Sequence, residues 1–294
     1  MIVFDGNRKL YKGNTHLHTT LSDGRKSPEE ARAIYRENGY DFLAISDHRK
    51  VTTETMMDGD LLSIQSIEFD YNLVGQVVHI VGFGVKSDVA EGLLPQMSPQ
   101  RAVNAIKKAG GVAILAHPAW SLNTPEVITG LRGLDAVEIY NTVSGMPFNG
   151  DRADSSAIID VAFCQGNLLN LVAADDAHFY IGDECKSYIM VAAEEKTEEA
   201  IKKAIIAGDF YATQGPKFEK IEFDGSTVKV WCSPVKYISF PSDLPWAQGR
   251  TKEGENLTYA EFTLNPNLPH KFIRVMLVDE NGKRAWSNPI DLTK

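Results

Sequence analysis

Six of the seven histidines in this 294-residue chain fall in short clusters that each look like part of one metal site. They are His16 and His18 in NTHLHTTLSDG, His48 in ISDH, His79 in VVHIVG, His117 in ILAHP and His178 in AADDAH. Asp23, Glu68 and Asp176 stand beside them at useful spacings, while His270 lies outside the set. Imidazole and carboxylate are the donors that borderline divalent cations such as zinc, manganese and iron accept. The chemistry they suggest is that of a metalloenzyme. A side-chain nucleophile is not needed: GxSxG is absent, and Cys164 sits within a helical pattern.

Spacing strengthens the case. Side chains alternate faces along a strand, so residues i and i+2 project together. If residues 13–19 are extended, His16 and His18 aim at one point, and Asp176 and His178 do the same at the end of LNLVAADDAH. FLAISDH, LLSIQSIEF, VVHIVGF and VAILAHP each carry a His or Glu within or at the end of an apolar run. A lone histidine ending an apolar strand is more often a hydrogen-bonded core residue than a ligand. Repetition is what that explanation leaves out.

The elements that must position these side chains alternate up to about residue 215. SPEEARAIYRENG opens with Ser27 as N-cap, Pro28 at the first helical position and Glu30 in capping-box position, and it closes at Gly39. Strands are predicted near 42–47, 61–69 and 77–85, a helix near 99–109, and a strand over 112–117. A TPEVITGL helix, the strand AVEIYN, a helix near 152–165 and a strand over 168–174 come next, then SYIMVAA and TEEAIKKAIIAG. The strands are apolar throughout, as in parallel sheets covered on both faces. Because His48, Glu68, His117, Asp176 and His178 lie at or just past strand ends, convergence on one axis favours a barrel of roughly seven strands over an open sheet.

Residues 216–294 change texture. KIEF, TVKVWC, KYISF, LTYAEFTL and KFIRVMLVD alternate as strands, with turn dipeptides at Asp224-Gly225 and Asn281-Gly282. They are expected to form a small all-β sandwich-like domain after a boundary near Gly215-Pro216, structural or oligomeric in role. Residues 242–257 read as a long polar loop that could reach the barrel mouth.

Composition is that of an ordinary soluble globular protein, 43% hydrophobic and 23% charged. A net charge of −9 argues against nucleic acid as a partner except as a small nucleotide. It leaves room for a small anionic substrate, because bound cations invert the local field. Cys164, Cys185 and Cys232 form no CxxC pair and suit a reducing compartment. With no signal-like start and no long apolar run, a cytoplasmic protein without membrane contact is expected.

In their order, HLHTTLSDG, SDH, a Glu followed eleven residues later by His, AHP and DAH resemble the PHP (polymerase and histidinol phosphatase) superfamily of metal-dependent phosphoesterases over about residues 10–215. The resemblance implies a distorted (β/α)7 barrel holding two or three divalent ions (Zn, Mn or Fe) at its mouth. His16, His18 and Asp176 would bind one ion, with Glu68 bridging to a second held by His79 and His117. Asp23, His48 and His178 would hold a third, and an Asp at position 23 makes that site harder. Glu68, Asp176 and His178 are the implied catalytic residues. Arg49, with Lys50 beside it, is the nearest cation for a phosphate, though an exposed basic loop explains the pair equally well.

The reaction implied is hydrolysis of a small-molecule phosphate ester by a hydroxide that bridges two metals. Within the superfamily the chain looks most like short phosphoesterases related to the nucleoside 3′,5′-bisphosphate phosphatases. Its ending, FIRVMLVDENGKRAWSNPI, resembles instead two-domain hydrolases of the carbaryl-hydrolase-like group. Attack on an ester, carbamate or amide is therefore the alternative.

Overall fold

The computed structural model describes residues 1–51, 54–86 and 88–294. In chain order the first part comprises β1 (Ile2–Asp5), β2 (Leu10–Asn14), α1 (Pro28–Glu37), β3 (Phe42–Ile45), β4 (Met56–Asp58), β5 (Leu61–Leu73) and β6 (Gln76–Phe83). It continues through α2 (Pro99–Lys108), β7 (Val112–Leu115), α3 (Pro125–Gly130), β8 (Ala136–Asn141), α4 (Ser156–Cys164), β9 (Asn170–Ala174), β10 (Tyr188–Ala192), α5 (Glu198–Ala207) and β11 (Phe210–Thr213). The remainder is all strand: β12 (Phe218–Phe223), β13 (Thr227–Ser239), β14 (Thr251–Thr263), β15 (Phe272–Ile273), β16 (Met276–Val278), β17 (Arg284–Ser287) and β18 (Ile290–Asp291). No helix among the described residues is long and apolar enough to cross a membrane.

Local sequence accounts for several of these elements. Ser27 Oγ accepts from Glu30 N and Glu30 Oε2 accepts from Ser27 N, the reciprocal cap expected for α1. Asn281-Gly282 joins β16 to β17 in an antiparallel hairpin, with Gly282 at φ 76°.

The β/α run forms an α/β sheet in which β2, β3 and β5 pair in parallel, as do β7, β8 and β9. Between them β6 pairs antiparallel with both β5 and β7. No helix separates residues 61–83, so the chain can only fold back on itself there. The expected closed (β/α)7 barrel is not found. No ladder returns β9 to β2 among the described residues, and the ends meet at a single parallel bridge, Leu17 to Ala177. β10 flanks β2 on its other side, antiparallel.

The strand order runs on through β11 and β17 into the C-terminal strands, and β1 pairs with β12. The boundary near Gly215-Pro216 thus lies between two strands of one continuous order. One apolar core packs Phe42, Phe69, Phe83, Ile106 and Phe163, and a second packs Phe4, Tyr211, Phe218, Ile238 and Phe240. TVKVWC and KYISF, expected as separate strands, are the single strand β13, bulged between Trp231 and Val235 around exposed Pro234. Residues 251–257 are strand, not loop, because they pair with β13. Of the remaining residues, Asp243 lies at the end of α4, where its carbonyl accepts from Cys164 Sγ and its Oδ2 from Lys271 N.

Candidate metal centre

His16 and His18 follow β2 in a segment that stays extended. Leu17 O accepts from Ser46 N, His18 N donates to Ala177 O, and Leu17 packs on the opposite side among Ala31, Leu43 and Ile45. That alternation points both rings the same way, as period two requires. The turn after them presses close. A Cβ added at Gly24 would lie 2.4 Å from His18 O, so only glycine fits there.

Asp176 and His178 reach the centre differently from the expected straight strand. β9 stops at Ala174, and Asp176 sits at φ 53°. Its carboxylate therefore joins the deep donors while His178 faces the outer ones. His117, past β7, is also left-handed at φ 31°. Such backbone costs on the order of 1 kcal/mol each and persists where surrounding contacts over-determine it. Glu68 and His79 lie within β5 and β6 instead of at their ends, because this hairpin extends past the centre to Leu73 and Gln76.

All nine expected donors converge in three overlapping groups. The deep group is His16, His18, Glu68 and Asp176; a second is Glu68, His79 and His117; an outer one is His18, Asp23, His48 and His178. His18 Nε2 lies 3.1 Å from both Glu68 Oε2 and Asp176 Oδ1, and His16 Nε2 lies 3.1 Å from Asp176 Oδ1. Glu68 Oε1 faces His79 Nδ1 at 3.0 Å and His117 Nε2 at 3.3 Å. Asp23 Oδ2 is 3.6 Å from His178 Nε2 and 3.7 Å from His48 Nε2.

Burial works against charge here, yet the groups hold charge against it. Desolvation pulls His18 down, but Asp176 and Glu68 raise it to about 9; His16 is likewise raised well above its ordinary value by Asp176, Glu68 and Glu138. Burial pushes Glu68 up, and His16, His79 and His48 overcome it, holding the carboxyl well below the usual range. Asp176 is depressed in the same way, chiefly by His16 and His178. His48 moves down, with burial the leading cause.

The donor set fits divalent cations. Asp176 Oδ1 and His48 Nδ1 are buried with no hydrogen-bond partner among the described residues, and the carboxylates are surrounded by imidazole. Each of several rings is oriented by a partner on its other nitrogen, as ligand histidines are: His117 Nδ1 by Ser121 Oγ (2.9 Å), and His178 Nδ1 by the Asp176 carbonyl (2.7 Å).

Two parts of the surroundings depart from expectation. Arg49 turns away from the centre, its Nε 2.5 Å from Asp70 Oδ1 and its guanidinium over the Tyr71 ring. Arg49 sits at φ 53° and does not line the cleft. Glu138 was read only as part of an apolar strand, yet it is fully buried against His16. A lone carboxylate within AVEIYN was the available signal. The cleft, about 210 Å³, is walled by Trp120, Val143 and Phe179, and no residue of 242–257 lines it. Exposed Arg25 stands over the Phe179 ring at 4.9 Å.

No family model matches the chain. An uncharacterized protein of Methanocaldococcus jannaschii is 27% identical over 149 residues, covering 44% of this chain and 81% of that one. An amidohydrolase from Chromobacterium violaceum overlaps 58% of this chain and 89% of its own, at 16% identity and a TM-score of 0.41. A two-domain protein from Bacteroides vulgatus, containing a predicted PHP-like metal-dependent phosphoesterase, aligns over 99% of this chain and 98% of its own, with 14% identity and a TM-score of 0.55. The α/β fold of this chain is thus similar, over nearly its whole length, to that of a two-domain PHP-like protein.

Proposed function

We propose that the chain is a metal-dependent hydrolase that cleaves the phosphate ester of a small molecule. The observation that carries this reading is the overlap of three donor groups through Glu68 and His18, which makes room for more than one cation in a single cluster. Two or three divalent ions, zinc, manganese or iron, suit these mixed donors; when bound they acidify water and neutralise phosphoryl charge.

His16, His18 and Asp176 would hold one ion and His79 with His117 a second, with Glu68 spanning the two. Asp23, His48 and His178 would hold a third. Glu68, Asp176 and His178 are the groups nearest the reacting atoms. Trp120 and Phe179 keep water from the inner cleft, and Arg25, at the rim, is the cation placed to meet a phosphate. A net charge of −9 favours a small phosphorylated molecule over a nucleic-acid polymer.

A second reading, hydrolysis of an ester, carbamate or amide, draws support from the apolar walls Trp120, Val143 and Phe179. Metal-reconstituted protein assayed on phosphate monoesters, carboxyl esters and carbamates separates the two. Phosphate release that stops with chelator is expected. Chelator-sensitive turnover of carbamates alone would replace the first reading with the second, and no turnover by metal-loaded protein would overturn both.

A further inference from the structure

Glu138 is an anomaly in β8. Strand neighbours Val137 and Ile139 are core residues, and Glu138 is fully buried with them. Burying a carboxylate is costly unless its oxygens are fully engaged. Here both are. Oε1 accepts from His16 Nδ1 at 2.8 Å, and Oε2 accepts from His117 N at 2.9 Å and Asn141 Nδ2 at 2.8 Å.

Those partners belong to different donor groups: His16 to the deep one, His117 to the second. Asn141 extends the link, since its Nδ2 also donates to Asp176 Oδ2 at 3.2 Å. The amide is held that way round because its Oδ1 accepts from Ser144 N and Ser144 Oγ. A carboxylate can only accept, so His16 must carry a proton on Nδ1, which leaves Nε2, 3.3 Å from Glu68 Oε2 and 3.1 Å from Asp176 Oδ1, as the nitrogen that would share a cation with them. The bond from His117 N pins a residue whose backbone is left-handed at φ 31° and whose Nε2 faces Glu68 Oε1 at 3.3 Å.

We infer that Glu138 is a positioning residue that ties the two inner donor groups together, holding His16 and His117 in register on opposite oxygens of Glu68. The inference rests on the reading of this cluster as a metal centre. Glutamine keeps the size of the side chain but offers one acceptor where two are needed, so Glu138→Gln must release the His117 backbone, release His16, or turn the His16 lone pair from Nε2 to Nδ1 and away from the cluster.

The test uses the full-length chain and cobalt(II) as probe, with affinity measured by competition against a chelating indicator and geometry by visible absorption. Glu138→Gln is expected to weaken binding at the inner positions on the order of 10- to 100-fold and to change the cobalt spectrum, while metal-free circular dichroism stays that of the parent. Asn141→Ala, which keeps the carboxylate, is expected to weaken the same positions by a smaller factor, and it decides the matter if Glu138→Gln does not fold. Parental affinity and spectrum in either folded variant would overturn the inference. A parent protein that binds no cobalt would instead overturn the metal-centre reading beneath it.

Discussion

Asp23 Oδ1 lies 3.5 Å from His18 Nδ1, the ring nitrogen turned away from the deep group. His18 directs Nε2 at Glu68 and Asp176, whose carboxylates favour a ring protonated on both nitrogens. Its Nδ1 is then a donor toward Asp23 and Ser22, so His18 orients the outer carboxylate while serving the inner group. The outer group is left with Asp23, His48 and His178 as its own donors, and the Asp23 side chain is 54% exposed.

Loss of Glu68 should therefore hurt more than loss of Asp23. Glu68→Gln is expected to remove at least one metal ion per chain and to cut turnover by roughly 100-fold, the upper end of what loss of even an outer-shell partner costs. Asp23→Asn should remove at most one ion and cost roughly tenfold. Elemental analysis beside steady-state rates measures both. Equal losses would show that bridge and periphery are misassigned.

Acidity offers a check on the metal-free protein. His18 is raised to about 9 from an ordinary 6.5, and His16 shifts the same way. A raised imidazole stabilises the fold fully below pH 6.5 and ceases to do so as pH climbs through about 9. Chelator-treated protein should thus lose stability across that window, by about 1.4 kcal/mol per pH unit for each proton released. With zinc bound, the lone pairs are engaged by the cation and the decline should vanish. Melting temperatures of both forms against pH decide it; parallel curves would refute the account.

Substitution of the two arginines near the mouth should have opposite outcomes. Arg49 is spent on Asp70 and Tyr71, so Arg49→Ala should lower stability and leave KM for a phosphate ester unchanged. Arg25, over Phe179 at the rim, should raise KM on the order of tenfold when replaced by Ala, as expected for loss of a charged contact to phosphate. If Arg25→Ala leaves KM alone, the apolar-substrate reading gains.

Arg274 is 2% exposed in its side chain and pairs through Nε and Nη2 with both oxygens of Asp160 on α4, at 2.9 and 2.8 Å. Removing one member of such a pair strands the other, so Arg274→Ala should cost roughly 3 kcal/mol in chemical denaturation. Metal content of the folded variant should stay at the parental level, since Asp160 is no part of the donor groups.

The donors themselves were legible because imidazoles and carboxylates interrupting apolar runs are rare and repeat in this chain. The capping box of α1 and the Asn281-Gly282 turn were legible for the same local reason. Glu138 was not, since a single carboxylate in a strand gives no hint of which histidine it will meet. Spacing does not show that Arg49 pairs with Asp70, and β13 reads as two strands because Pro234 looks like a break until a bulge absorbs it. Pairing of β6 against β7 sets Phe83 opposite Val112, partners far apart in the chain, which periodicity does not encode.

The pairing of β1 with β12, Asp5 opposite Lys220, bears on how the molecule is made. On the ribosome the first strand emerges early and must wait for most of the chain before its neighbour exists. Contacts so distant in sequence close slowly. Assembly of this strand pair is therefore tied to synthesis of Phe218–Phe223, and removal of residues 1–6 should loosen β12 before it disturbs the histidine cluster. Deuterium uptake in Phe218–Phe223 should rise on trimming, while that around His16 and His18 stays at the parental level.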